Sequence, residues 1–185
     1  FVLIRSYFRV KYSRLMTIRE IITNPNPILR RKARKVTDFG PELQSLIDDM
    51  VETMRAAPGV GLAAPQVAES IQVITVEYSE TDEEGAPARL YTLVNPQISR
   101  ASSETVVGAE GCLSVPGIVG EVERHEAITV KAQNRRGQPV TIKAKGWLAR
   151  IFQHEIDHLE GVMFIDRTDQ LWRPEDHPDR EVPLD

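Results

Sequence analysis

Two histidines and one glutamate late in the chain have the types and spacing that metal chemistry requires. His154, Glu155 and His158 form the pattern H-E-x-x-H. On an α-helix, side chains four positions apart lie one above the other, so two imidazoles can bind one metal ion while the intervening carboxylate stands beside it. The motif therefore predicts a metal site with Glu155 as a general base.

The residues around the motif favour the helix that this site needs. With an advance of about 100° per residue, both histidines and Glu155 fall on the apolar side of the helix. A carboxylate facing the core needs a partner, because its lost hydration is otherwise not replaced. Two hydrogen-bonded core histidines beside an ion-paired glutamate are the alternative to a metal site. The polar residues on the other side are Arg150, Gln153, Asp157 and Glu160.

Composition narrows the class of protein. The 185 residues are 41% hydrophobic, which suits one well-buried domain. The net charge of −4 argues against a general phosphate-binding surface, and thus against nucleic acid as a partner. The chain contains no run of about 18 apolar residues, so the sequence predicts no membrane-spanning helix. The single cysteine, Cys112, excludes an intrachain disulfide and fits a reducing cytoplasm.

The hydrophobic periodicity predicts an α+β fold. Residues 41–57 carry apolar side chains at helical spacing behind a proline, which predicts an amphipathic helix near the N-terminus. Short alternating segments joined by turns predict antiparallel strands, and residues 135–138 are expected to close a hairpin. We therefore expect short antiparallel sheets packed around a central metal-binding helix. The candidate strands are residues 71–78, 90–95, 104–107, 120–124, 128–133 and 140–144.

The chain divides into three expected regions. Residues 1–15 contain basic residues and no acidic ones ahead of Met16, so they are interpreted as an upstream extension, a start-site artefact or a transit leader outside the fold. Residues 16–168 are expected to form the catalytic domain. Residues 169–185 contain three prolines among charged residues, which predicts an extended or disordered tail.

Residues 59–66, with the sequence GVGLAAPQ, match the loose glycine pattern of a dinucleotide loop. That motif needs a preceding strand and a following helix, and the expected elements here are a helix before and a strand after. An ordinary tight loop is the simple interpretation. Its small residues permit close approach of a backbone, and Gln66 supplies an amide donor at its end.

A catalytic metal site of this kind usually has a third protein ligand. The metzincin pattern fails because Phe164 stands where a third histidine belongs. A downstream glutamate, as in other zinc peptidases, is limited to Glu175 or Glu181 in the proline-rich tail. The upstream candidate is Cys112, although a lone cysteine is by default a small buried apolar side chain.

Three segments together resemble the signature motifs of the peptide deformylase family. They are residues 59–66, residues 110–114 with the sequence EGCLS, and residues 154–161 with the sequence HEIDHLEG, and the resemblance extends over about residues 16–167. It implies removal of the N-formyl group from the formyl-methionine of newly synthesised polypeptides, with release of formate. It also implies one divalent metal ion, Fe²⁺ by preference with Zn²⁺ or Ni²⁺ able to substitute, held by Cys112, His154 and His158.

The resemblance also implies roles for the neighbouring residues. Glu155 would be the general acid and base, while the Gln66 side chain and the Leu113 backbone N–H would stabilise the oxyanion. Gly61 would allow the extended substrate to approach closely. The implied partners are N-formyl-methionyl nascent peptides and the ribosome, without nucleic-acid specificity or a membrane, and we expect a cytoplasmic monomer.

Two further hypotheses concern residues near the motifs. Trp147 and Ile151 either line a pocket for the methionine side chain or pack in the core. Glu110 and Arg124 either form an ion pair beneath the site or are solvated separately.

Two other functions stay open at this point. A zinc endopeptidase would cleave internal peptide bonds and tolerate Cys112→Ser. A deformylase-like domain with a purely structural metal would melt in a metal-dependent way without releasing formate.

Overall fold

Two α-helices and eight β-strands form the regular structure of the residues that the computed structural model describes, which are 17–57, 59–79 and 87–180. The predicted extension at residues 1–15 lies outside these ranges. Helix α1 spans Pro41–Ala56 and helix α2 spans Gly146–Glu160. The strands are β1 Gly61–Ala63, β2 Val73–Tyr78, β3 Arg89–Ala101, β4 Thr105–Glu110, β5 Val119–His125, β6 Ala127–Gln133, β7 Pro139–Lys145 and β8 Leu171–Trp172.

The strands form two antiparallel sheets. One has five strands in the order β1-β2-β3-β6-β7, and the other has three in the order β4-β5-β8. Strands β6 and β7 pair along their full lengths, from Ala127 opposite Lys145 to Gln133 opposite Pro139, so the predicted hairpin is confirmed. With the two helices, these sheets confirm the predicted α+β fold.

Strand β3 is longer than the sequence predicted. The prediction ended it at residue 95, whereas the strand continues to Ala101. Asn95 has a positive φ of 53°, and the register with β6 shifts between Val94 and Gln97. This bulge accommodates Pro96, which has no N–H to donate to a ladder. The prediction was wrong because proline usually ends a strand, and local sequence does not reveal a bulge that absorbs it.

The segment 59–66 is not an ordinary loop throughout, which corrects the simple interpretation. Gly61–Ala63 form strand β1, with Gly61 opposite Val76 on β2. A 3₁₀ turn at Ala64–Val67 follows, and Gln66 is 2% exposed. Strand β1 thus lies at the edge of the large sheet, and the turn that follows it places Gln66 in the interior.

Helix α2 lies between the sheets and is buried on more than one side. Its apolar residues Leu148, Phe152 and Leu159 pack in the main core, where the Phe152 ring meets Tyr91 of β3 edge to face at 5.3 Å. Three of the four polar residues opposite them, Arg150, Gln153 and Asp157, are also buried. The helix ends at Gly161, whose φ of 76° is left-handed and suits glycine.

Of the predicted tail, residues 169–180 are described. Leu171 and Trp172 pair with β5, and a 3₁₀ turn follows at Pro174–Asp176. Neither α-helix of the described residues has the length and hydropathy that a membrane-spanning helix needs.

Candidate metal centre

The fold brings together Cys112, His154 and His158. One ligand atom from each lies within 4.8 Å of the other two. Cys112 follows strand β4 closely, while the two histidines come from consecutive turns of α2. The Cys112 Sγ and His158 Nε2 atoms are 3.3 Å apart. A soft sulfur and two imidazole nitrogens converging on one point form a donor set that fits a divalent transition metal.

Glu110 fixes the orientation of one of these histidines. Its Oε2 atom lies 3.0 Å from His154 Nδ1, which leaves the other ring nitrogen for the cluster. Arg124 donates two hydrogen bonds to Glu110, at 2.8 and 2.9 Å, so of the two alternatives for this pair the buried ion pair is the one present. Burial alone would raise the pKa of Glu110, but the hydrogen bonds from Arg124 and His154 hold it well below its usual range.

The second histidine is poised as a neutral ligand. Burial, followed by the nearby charge of His154, lowers the pKa of His158 well below its usual value. Metal ligation requires an imidazole nitrogen without its proton. The His158 Nδ1 atom is buried and has no hydrogen-bond partner among the described residues. One ring nitrogen of His158 is therefore buried without a hydrogen bond from the described residues, so hydrogen bonding alone does not explain why this histidine is buried.

Glu155 is 4% exposed, and its Oε2 atom is buried without a hydrogen-bond partner among the described residues. Burial raises the pKa of its carboxyl to about 7. A carboxyl with this pKa can accept a proton and return it near neutral pH. The sequence predicted that a buried Glu155 would need a partner. Its Oε2 atom has none among the described residues, and the carboxylate lines the cavity beside the cluster.

Gln66 is held so that its amide nitrogen faces the cluster. Its Oε1 atom accepts a hydrogen bond from the Ala63 backbone N–H at 2.8 Å. Its Nε2 atom then points toward Ser114 Oγ at 3.2 Å and Cys112 Sγ at 3.6 Å. Because the Ala63 N–H requires an acceptor, this contact fixes which end of the amide faces the site.

A small cavity of about 50 Å³ opens beside the cluster. Its walls include Gly61, Leu113, Ile151 and Glu155. Trp147 forms part of the same wall and is 48% exposed, so it stands at the mouth. All seven residues predicted for the site therefore lie in the cluster or around this cavity.

Comparisons with known proteins decide the family. The sequence model described as Polypeptide deformylase matches residues 18–173. The chain belongs to the polypeptide deformylase family. It is accordingly a hydrolase that removes the N-formyl group from nascent polypeptides.

Individual deformylases show the same relationship. The peptide deformylase of Symbiobacterium thermophilum is 50% identical over 156 residues, which cover 84% of this chain and 69% of that protein. The peptide deformylase of Natranaerobius thermophilus is 45% identical over 161 residues, covering 87% and 99%. The crystal structure of the Acinetobacter baumannii class I type b enzyme, bound to Met-Ala-Ser, is 38% identical with a TM-score of 0.77, covering 83% and 100%.

None of the positions that the peptidase hypothesis offers for a third ligand joins the cluster within the described residues. Phe164 is buried and stacks on the His154 ring, with centroids 6.1 Å apart. Glu175 is exposed and pairs with Arg173 at 3.7 Å. Glu181 lies outside the described residues. Cys112 is thus the third member of the deformylase cluster that the described residues form.

Sequence reasoning missed the polar side chains that surround the deformylase cluster. Asp157 accepts a hydrogen bond from Arg124 at 2.5 Å and pairs with Arg167. Arg150 donates to Glu110, and Ser114 contacts Gln66. The sequence signal that could have revealed part of this network was the set of polar residues on one side of α2. The helical projection identified that polar side but did not predict that it is buried.

Proposed function

We propose that this chain hydrolyses the formamide bond with Glu155 as the proton carrier and with Cys112, His154 and His158 as metal ligands. The observation that supports this best is the buried carboxylate of Glu155, unpaired at Oε2 among the described residues and facing the cavity beside the Cys-His-His cluster. A divalent metal held by the cluster would supply Lewis acidity toward the formyl carbonyl oxygen and the attacking water.

Glu155 would serve both halves of the reaction. As a carboxylate it accepts a proton from the attacking water, whose oxygen forms a bond to the formyl carbon. As a carboxylic acid it gives that proton to the amine nitrogen when the C–N bond breaks, and formate leaves. A pKa of about 7 suits both directions, because neither protonation state is far from equilibrium at neutral pH.

Gln66 and Leu113 would stabilise the negative charge that develops on the formyl oxygen. The Gln66 amide is already oriented by Ala63, so its N–H groups need no reorganisation during the reaction. The Leu113 backbone N–H would act from another segment of the cavity wall. Gly61 leaves room for both the Glu155 side chain and a substrate backbone.

We further propose that the native ion is Fe²⁺, with Zn²⁺ or Ni²⁺ able to replace it. One thiolate and two imidazoles suit all three ions, and a thiolate makes the site softer than a site of histidines and carboxylate alone. Metal analysis of protein purified without oxygen tests this assignment. Zinc at full occupancy and iron absent would contradict it.

The proposed substrates are formyl-methionyl nascent peptides, with the methionine side chain against Trp147 and Ile151. A related enzyme has been crystallised with Met-Ala-Ser, which supports a short N-terminal methionyl peptide in such a site. We propose that the enzyme works as a monomer in the cytoplasm and meets nascent chains at the ribosome. Sedimentation analysis tests the oligomeric state, and a ribosome pull-down tests the encounter.

The central experiment measures formate release from formyl-Met-Ala-Ser. Glu155→Ala should retain bound metal while its turnover falls about 10²–10⁴-fold, the usual contribution of a general acid–base. Glu160→Ala is the matched control, because Glu160 lies on the same helix and pairs with Lys32 at the surface. Full turnover by the Glu155→Ala variant would exclude the proposed role.

A further inference from the structure

Arg150 is buried on α2 and makes an unusual set of contacts. The residue is 7% exposed, and its Nη1 atom donates to Glu110 Oε1 and to the Val122 carbonyl, both at 2.8 Å. Its Nη2 atom donates to the Val106 carbonyl at 2.7 Å. The Gly108 carbonyl lies 3.3 Å from Nη1. One guanidinium thus binds a carboxylate and the backbones of two strands.

Strand β4 is shaped to admit this guanidinium. A Cβ atom added at Gly108 would lie 2.9 Å from Arg150 Nη2 and 3.0 Å from its Cζ. The guanidinium plane therefore lies against the glycine, where any side chain would collide with it. The centroid of the Trp147 ring is 5.6 Å from Arg150 Cζ, and Arg150 as a whole is buried.

These contacts connect the two halves of the metal site. Glu110 orients His154 and ends strand β4, and Cys112 follows it by two residues. Arg150 lies one turn before His154 on α2. Through Val106 and Glu110 it ties the strand that leads to the thiol directly to the helix that carries the imidazoles.

Arg124 connects Glu110 to α2 by a different route. It also donates to Glu110, but it comes from β5, and its other ion pair is with Asp157 on α2. Among the described residues, Arg150 is the side chain that donates both to Glu110 and to the backbone of β4. Removing it would leave three backbone carbonyls without these donors beside the site.

We propose that Arg150 is a positioning residue that sets the placement of Cys112 relative to His154, so that the three ligands bind metal in the geometry needed for turnover. The inference rests on the proposed ligand set. It assigns Arg150 no contact with the metal or the reacting atoms. Groups that support metal ligands typically change metal affinity 10–100-fold when removed.

The test is a titration of metal-free enzyme with Co²⁺ alone, followed by the absorption bands of cobalt bound to thiolate and imidazole. Arg150→Met should weaken Co²⁺ binding about 10–100-fold and shift these bands. In the cobalt-loaded enzyme, kcat should fall more than KM rises. Failure of the unaltered enzyme to bind Co²⁺ would instead contradict the proposed metal site, which separates the two hypotheses.

Three further variants make the test decisive. Gly108→Ala should displace the guanidinium and reproduce the cobalt changes of Arg150→Met without altering Arg150. Arg150→Lys should recover part of the affinity, since an ammonium can reach Glu110 but cannot span the carbonyls as a fork. Arg55→Met is the matched control, because Arg55 pairs with Glu77 at the surface and should leave Co²⁺ binding unchanged.

A purely structural Arg150 gives a different result. Folded Arg150→Met would then melt at a lower temperature while its Co²⁺ affinity and spectrum match those of the unaltered enzyme, and this outcome would overturn the proposal. If Arg150→Met does not fold, Gly108→Ala decides, and an unchanged cobalt spectrum in that folded variant would also overturn it.

Discussion

Replacing Gly61 with alanine adds one methyl group at the most crowded point of the active site. Its Cβ atom would lie 2.3 Å from Glu155 Oε1, 2.9 Å from Cδ and 3.1 Å from Cγ. Comfortable carbon–carbon contacts are about 3.5–4.0 Å, so the Glu155 side chain must move by roughly 1 Å. Rotation of the carboxylate alone does not relieve the contact, because Cγ is also too close.

This displacement should lower both turnover and stability. A misplacement of about 1 Å at a catalytic group can cost about 10²-fold in rate, and we expect a fall in kcat of that order. Overpacking of a buried site costs about 1–3 kcal/mol, so the free energy of unfolding should fall by a similar amount. The two effects share one cause, which is the contact with Glu155.

The assay combines formate release with denaturant unfolding in a double-mutant cycle. Glu155→Ala lacks all three atoms that the new methyl group meets, so Gly61→Ala should cost little further stability in that background. Gly40→Ala serves as the control, since Gly40 is the half-buried residue before α1, and the nearest atoms that its added Cβ would meet belong to Asp38, so kcat should be unchanged. Equal destabilisation by Gly61→Ala with and without the Glu155 side chain would refute the steric explanation.

Three other predictions follow from the site and its surroundings. Gln66→Ala should lower kcat about 10²–10³-fold by removing an oxyanion donor; unchanged turnover would contradict the assignment. Chelation should lower the melting temperature, because metal at 100 times its dissociation constant stabilises by about 2.7 kcal/mol, and Cys112→Ser should abolish most of this difference. The hydrogen bond from Arg55 lowers the pKa of Glu77 in the folded protein. The stability that this ion pair contributes is therefore present above the pKa of Glu77 in the unfolded chain, and it is lost as pH falls through the lower pKa of the folded state. Glu77→Gln should therefore cost less than about 1 kcal/mol at neutral pH and nothing in acid, as measured by urea unfolding.

Local sequence was sufficient for elements whose pattern repeats. Helix α1 was predictable because Leu46, Ile47, Met50 and Met54 form one buried stripe behind Pro41. The β6–β7 hairpin follows from strict alternation around a turn. The three ligands were identified from two short motifs that occur in a fixed order along the chain. Each motif holds its functional residues within a few neighbouring positions, so the sequence alone was enough to find them.

The rest depended on partners that are distant in sequence. Arg150 and Asp157 are polar residues on a helix, and polarity alone suggests exposure to solvent. They are buried because Glu110 and Arg124, from the small sheet, neutralise and hydrogen-bond them. A helical projection contains no information about these partners, so the buried charged network could not be derived from it.

The separation of the ligands along the chain has a consequence for how the enzyme matures. The two histidines are neighbours on one helix even before the sheets assemble, but Cys112 is 46 positions away from His158, and Gln66 is another 46 positions before Cys112. Closing such long loops delays folding, because their entropy must be lost before any contact compensates it. We therefore expect a newly made chain to acquire its metal late, after the small sheet has packed on α2 and brought Cys112 to the histidines, so that metal uptake follows folding instead of starting it.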